Sequence, residues 1–349
     1  MKIDTRPAGA PFADGTQDPS LHGGPNQRRR QIVTGAGAAL AGLALPMPSF
    51  AQGISNRPVR VILAQTTATT PDFLARTLAP RLQARWNQPF LVENRPGAAG
   101  AIGMEAVAKS PPDGHTISIN VSSTLTLPLF FKVPFDVVNG FTPISMVGSN
   151  IFALVCHSSV PANNVREFIA WGRKAGNSVN YGSPGNGTYH HLFMEKFKLQ
   201  TGINITHIPY KGSAQATTDL LGGQIAAMFL PMGSALTMSR EGRLRILGGS
   251  GRERSPLTPD IPSLHENGVT GYDMDAWFAA WGPPGMPADI VAKYNAEFRA
   301  ILAEPETREA MAKHGVSVIQ STPEELGRRN KAEYDTLAKL VKDANIKGD

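Results

Sequence analysis

The stretch Tyr181-Gly-Ser-Pro-Gly-Asn-Gly-Thr-Tyr-His-His-Leu192 runs a glycine-rich turn straight into an amphipathic helical segment. Such a turn leaves several backbone N–H groups unpaired where the helix begins, and together with the helix dipole they favour a carboxylate or a phosphate. Ser183, Thr188 and His191 stand at the junction and can add side-chain hydrogen bonds. A second polar loop, Gln65-Thr-Thr-Ala-Thr-Thr70, ends in Thr70-Pro71-Asp72, a helix-start signal made of a hydroxyl, a proline in the first turn and an acid near the positive dipole end. Each feature also has a plain reading: turns need glycine, and threonines populate solvated loops.

The elements that must position these loops follow from periodicity. Residues 58–64 are a β-branched run suited to a buried parallel strand, and Phe73, Leu74, Leu78 and Leu82 recur at helical spacing up to Trp86. The threonine loop then lies just beyond a strand's carboxyl end, where ligands bind in open α/β sheets. A strand over 89–94 leads into Arg95–Gly103, whose glycines are spaced GxxGxxG rather than GxGxxG. That spacing points to close packing at a helix start, not to a dinucleotide. A strand over 115–121 ends in Ser122, Ser123 and Thr124, another hydroxyl cluster at a strand end.

Residues 144–155 read as one strand crossing to a second unit, in which the βα pattern begins again. Lys211 follows the strand 205–210 on an exposed loop, and the aromatic segment 272–281, which contains Phe278, reads as the return crossing. The expected fold class is α/β, with two doubly wound domains joined by crossing strands and a ligand cleft between them. Domain 1 takes residues 52–155, domain 2 takes 156–272, and 273–349 return to domain 1 with the C-terminal helices.

Composition narrows the function. With 349 residues, 41% hydrophobic and 18% charged, the chain can bury two cores. The net charge is +6, but Lys and Arg are scattered and no nucleic-acid partner is expected. The one basic block, Arg28-Arg29-Arg30, precedes a Gly/Ala-rich apolar run to Leu45 and the small-x-small signal Ser49-Phe50-Ala51. Residues 1–51 therefore read as an export signal of the twin-arginine kind, cleaved near Ala51 to leave a periplasmic protein. The apolar run is too short for a membrane span. The single cysteine, Cys156, excludes an internal disulfide and sits in an apolar run as a small hydrophobe. No HExxH or CxxC pattern points to a metal, and no cofactor is expected. Ser183 next to a histidine-bearing helix raises a serine hydrolase, but there is no GxSxG elbow, and Pro184 removes the N–H that would build an oxyanion hole.

Several stretches also occur together in a known family: Val92-Glu-Asn-Arg-Pro-Gly-Ala-Ala-Gly-Ala-Ile-Gly103, Pro112-Asp-Gly-His115, Tyr181–Thr188 with His191-Leu192, Pro209-Tyr-Lys-Gly212, Asp219-Leu-Leu-Gly-Gly-Gln224 and Pro259-Asp-Ile-Pro262. Over nearly all of residues 55–349 the chain resembles the Bug-type periplasmic receptors of tripartite tricarboxylate transporters. The resemblance implies a type II periplasmic-binding-protein fold that closes over a small organic carboxylate, works as a monomer and hands its ligand to membrane permease subunits. It also implies a ligand held by backbone amides, hydroxyls and ordered water. One wall would come from Gln65, Thr66, Thr67, Thr69 and Asp72, the last matching the family's acid at the helix start. The other would come from Ser183, Gly185, Asn186, Gly187, Thr188 and His191. Ser122, Ser123, Lys211 and Phe278 complete the candidate set, and Phe278 in the pocket would favour an aromatic acid over a plain di- or tricarboxylate. The pattern departs at one place: Gln65-Thr66 replace the usual loop start, and Thr69 and Thr70 stand where the family carries two glycines. A sensing role feeding a membrane kinase is the alternative output.

Overall fold

The computed structural model describes residues 54–346, so the expected export segment and its cleavage site lie outside the described residues. The first half of the chain runs β1 (Val59–Leu63), α1 (Thr70–Trp86), β2 (Phe90–Asn94), α2 (Ala101–Ala108), β3 (Thr116–Val121), α3 (Leu127–Phe130) and β4 (Thr142–Asn150). Next come β5 (Phe152–His157), α4 (Val165–Ala175), β6 (Asn180–Ser183), α5 (Tyr189–Thr201), β7 (Thr206–Pro209), α6 (Ser213–Leu221), β8 (Ala227–Pro231), α7 (Met232–Arg240) and β9 (Leu244–Gly249). The chain closes with β10 (Ala276–Gly282), α8 (Ala288–Ala303), α9 (Pro305–Lys313) and α10 (Pro323–Asp343).

Two five-stranded sheets result, ordered β2-β1-β3-β10-β4 and β7-β6-β8-β5-β9. β1 pairs in parallel with β2 and β3, while β10 runs antiparallel between β3 and β4. The second sheet repeats the plan, with β6 parallel to β7 and β8, and β5 antiparallel between β8 and β9. The inner strands are apolar because helices cover them: β10 is buried along its whole length and β1 everywhere but Arg60.

The single crossing strand expected over 144–155 is two strands. Asn150 still pairs with Ala276 in the first sheet, whereas Phe152 pairs with Pro231 in the second, so the sheet changes at Ile151. The apolar run is continuous in the sequence because both halves are buried, each in a different core, and pattern alone does not mark the break. The return is adjacent: the Met274 N–H donates to the Ser250 carbonyl of the second lobe, two residues before Ala276 joins the first sheet. Both connections thus pass side by side. The last helices close on the first lobe, where Arg85 and Arg81 of α1 pair with Glu297 and Glu304, and Asn295 of α8 donates to the Ile144 carbonyl at 2.8 Å.

Cys156 lies inside the second sheet with no exposed surface. Burial pushes its thiol up to about 11 against the opposing pull of Arg245, so almost no thiolate is present at neutral pH. Iodoacetamide is therefore expected to leave the folded protein unlabelled and to modify Cys156 fully in denaturant, which mass spectrometry reads directly; labelling of the native protein would contradict this burial.

Candidate functional site

Between the two sheets lies a cavity of about 750 Å³. The first lobe builds its side from the loop after β1. Thr69 adopts the extended N-cap conformation, α1 starts at Thr70, and Pro71 fills the first turn. The loop is pinned internally: Thr69 Oγ1 donates to the Thr66 carbonyl at 2.8 Å, and Asn94 Nδ2 donates to the Gln65 carbonyl at 3.2 Å. Ala68 takes φ 60°, a left-handed conformation held by the Asp72 carboxylate, which accepts its N–H at 3.1 Å. Asp72 also accepts from Arg76 at 3.0 Å. Burial works to raise its pKa, but the Arg76 and Ala68 hydrogen bonds outweigh it and the carboxyl stays below its ordinary value.

Behind this loop the spaced glycines do what close packing predicts. A Cβ on Gly103 would come within 2.6 Å of Ala64 Cα, so α2 can approach β1 only through a glycine. Gly97 and Gly100 reach the cavity wall as well, a role the spacing argument did not assign them.

The second lobe contributes the turn 184–188. Gly185 and Gly187 take φ 138° and 77°, which L-residues rarely adopt, and Thr188 enters α5 as an extended N-cap with its hydroxyl on the Gly185 carbonyl at 2.8 Å. α6 begins at Ser213, directly after Lys211 and Gly212, which also line the cavity. The starts of α1, α5 and α6 therefore all open on one space, and each leaves its first N–H groups without an intrahelical partner.

The cavity gathers Gln65, Thr66, Thr67, Thr69, Ser123, Gly185, Asn186, Thr188, Lys211 and Phe278 of the residues singled out from the sequence. Asp72, Ser122, Ser183, Gly187 and His191, also singled out from the sequence, do not line it. Each is committed to a neighbour. Asp72 caps its own loop. Ser122 Oγ donates to the Trp277 carbonyl at 2.9 Å and lies 2.7 Å from the Tyr189 hydroxyl. The Gly187 N–H donates to His191 Nδ1 at 3.1 Å, and its carbonyl accepts from Thr126 of the other lobe at 3.0 Å. His191 stacks on His207 with centroids 4.1 Å apart. Ser183 Oγ sits 2.6 Å from His207 Nε2, a serine–histidine pair like that of a hydrolase, yet Ser183 has no exposed surface and lies off the cavity wall. That pair holds the turn, with Ser183 Oγ also accepting the Gly185 N–H at 3.1 Å.

Of the adjacent histidines, it is His190 that faces the cavity, its ring edge-on to Phe152 at 5.0 Å, while His191 points into the core. Helical rotation separates neighbours by about 100°, so one had to turn inward, and only the packing decides which. Phe131, Phe152, Leu230 and Met238 join Phe278 as apolar lining; Trp277 and Trp281 stay in the core. Among the described residues of the wall, Lys211 is the only one with a formal charge, and no Asp or Glu appears. Tyr189 spans the lobes, donating from its hydroxyl to Glu333 of α10 at 2.6 Å beside Ser122. Burial raises the Glu333 carboxyl above its ordinary range, against the hydrogen bond from Tyr189. Tyr189, His190 and the α6 start were not singled out in advance; the residues that link one lobe to the other become visible only once the lobes are placed.

Two α/β lobes of like topology, joined at adjacent crossings around a cavity ringed by helix starts, define a type II periplasmic-binding-protein fold. The chain belongs to the tripartite tricarboxylate transporter receptor family, which residues 74–346 match. It is 33% identical over 325 residues to protein BugT of Bordetella pertussis, covering 92% of this chain and 99% of that one. A protein of R. palustris solved with adipate superposes with a TM-score of 0.80 at 30% identity, covering 84% of this chain and 98% of that one. MatC of Rhodopseudomonas palustris with bound malate gives 0.76 at 26% identity, covering 82% and 99%. None of the described helices is long and apolar enough to cross a membrane.

Proposed function

We propose that this chain captures a small organic carboxylate between its lobes and delivers it to the membrane subunits of a tripartite tricarboxylate-type permease, acting as a monomer in the periplasm after residues 1–51 have directed its export. The observation that carries this reading is the convergence of three helix starts on one cavity whose wall holds Lys211 and no acid. An anion there meets donors on both sides and no opposing carboxylate. A charge-assisted hydrogen bond contributes about 1.5–3 kcal/mol. Four or five of them, after ordering costs, support micromolar capture of about 8 kcal/mol without a salt bridge to arginine. The adipate and malate bound by the two relatives fit this chemistry.

A thermal-shift screen of the purified protein against dicarboxylates, tricarboxylates, aromatic acids, sugars and short peptides tests it. A true ligand at about 100 times its dissociation constant adds about 2.7 kcal/mol and raises the melting temperature accordingly. Stabilisation by sugars or peptides with none by any carboxylate would overturn the reading. Co-purification with the permease subunits tests delivery separately.

A further inference from the structure

Two side chains of the cavity wall carry a buried polar atom with no hydrogen-bond partner: Gln65 Oε1 on the first lobe and His190 Nδ1 on the second. Much of the neighbouring polar wall is already engaged. Thr69 and Thr188 bond their own loops, Tyr210 donates to Asp219 at 2.8 Å, and Tyr189 is held by Glu333 and Ser122. Leaving a buried polar group unpaired costs about 1–3 kcal/mol, and most such groups in folded proteins are paired. Two unpaired side-chain atoms, one on each lobe and both on residues lining the same cavity, mark a demand that the protein itself does not meet.

We propose that Gln65 and His190 are specificity-determining residues that read a hydroxyl on the bound carboxylate, so that the cavity selects a hydroxycarboxylate over its deoxy analogue. This rests on the carboxylate reading above and names the ligand class within it. An amide turns to present either oxygen or nitrogen, and a neutral imidazole gives from one nitrogen and accepts at the other. A hydroxyl both gives and accepts, and so satisfies either residue in either orientation. A carboxylate only accepts. An ammonium group only donates and needs an anion beside it, and the described wall has no Asp or Glu.

The surroundings of His190 agree. Burial lowers its pKa to about 3, with no charged neighbour contributing, so the ring is neutral at pH 7. Phe152 packs on its edge, and Phe278, Leu230 and Met238 give the carbon skeleton an apolar bed. Gln65 also occupies the loop start where this sequence departs from the pattern it resembles. A site built to hydrogen bond a hydroxyl rejects the analogue lacking it far more strongly than a greasy pocket rejects a missing methylene, because its own polar groups are left unpaired.

Titration calorimetry on the purified protein tests this with probes matched in charge: malate against succinate, citrate against tricarballylate, and aspartate as the ammonium counterpart of malate. In the pair that fits the cavity, the hydroxylated acid should bind at least about ten-fold more tightly. Gln65→Leu and His190→Leu should each shrink that ratio to about three-fold or less while leaving the unliganded melting temperature in place, and His190→Gln should keep most of it. Equal or tighter binding of the deoxy acids, tighter binding of aspartate than malate, or variants that weaken both members of a pair alike would overturn the assignment. If none of these five binds but another carboxylate does, this inference fails alone. If no carboxylate binds, the proposed function fails with it.

Discussion

Between pH 7.5 and pH 5 the unfolding free energy is expected to fall by about 2 kcal/mol through His191 alone. The ring is buried, stacked on His207, and accepts the Gly187 N–H at Nδ1, so that nitrogen must be unprotonated in the folded state. Burial, aided by the charge of Lys198, lowers its pKa to about 4, whereas an unfolded histidine titrates near 6.5. Between these values the unfolded chain binds the extra proton and the native one does not, so stability rises with pH. The contribution is complete above about pH 6.5 and is lost as pH falls towards 4. His190 and His207, each lowered to about 3 chiefly by burial, push in the same direction. Urea denaturation at the two pH values measures the slope. His191→Asn, which keeps an acceptor near Nδ1 but cannot titrate, should flatten it by about the same 2 kcal/mol. An unchanged slope in that variant would show that His191 does not carry the effect.

Gly187→Ala should be the most damaging single methyl in the second wall, destabilising by about 2–4 kcal/mol. Two penalties coincide there. The backbone is at φ 77°, and an added Cβ would lie 2.7 Å from Phe130 and 3.2 Å from Thr126 Oγ1, both on the opposite lobe. Because the same residue holds His191 through its N–H and Thr126 through its carbonyl, displacing it moves the whole turn from Gly185 to Thr188, and carboxylate affinity should drop with stability. Gly202→Ala separates strain from packing: it is left-handed at φ 68° and ψ 15°, but nothing lies within 4 Å of the new methyl, so only about 1–2 kcal/mol of backbone strain is expected. Equal losses for the two substitutions would mean that the contact with Phe130 plays no part.

These two expectations rest on residues whose polar groups are engaged within the protein. Gly187, Ser183 and His191 carry chemistry suited to an anion, and their types and spacing said so. In the folded chain they spend that capacity on one another, on His207 and on Thr126, and the cavity wall is formed instead by Gly185, Asn186, Thr188 and the cavity-facing His190. The Asp72 carboxylate likewise accepts from Ala68 and Arg76 and stabilises a left-handed turn.

By itself the sequence determined what local physics controls: the βα alternation, the helix start at Thr70-Pro71-Asp72, the glycine turn before α5, the close-packing glycine at 103 and the buried, inert character of Cys156. Each depends on periodicity, capping or backbone freedom within a few residues. Tertiary structure alone decided where the run 144–155 changes sheets, which of His190 and His191 faces the cavity, and that the start of α6 and Tyr189 line it. Those outcomes depend on partners tens or hundreds of residues away. Whether a polar side chain lines the cavity depends on which of those distant partners it packs against.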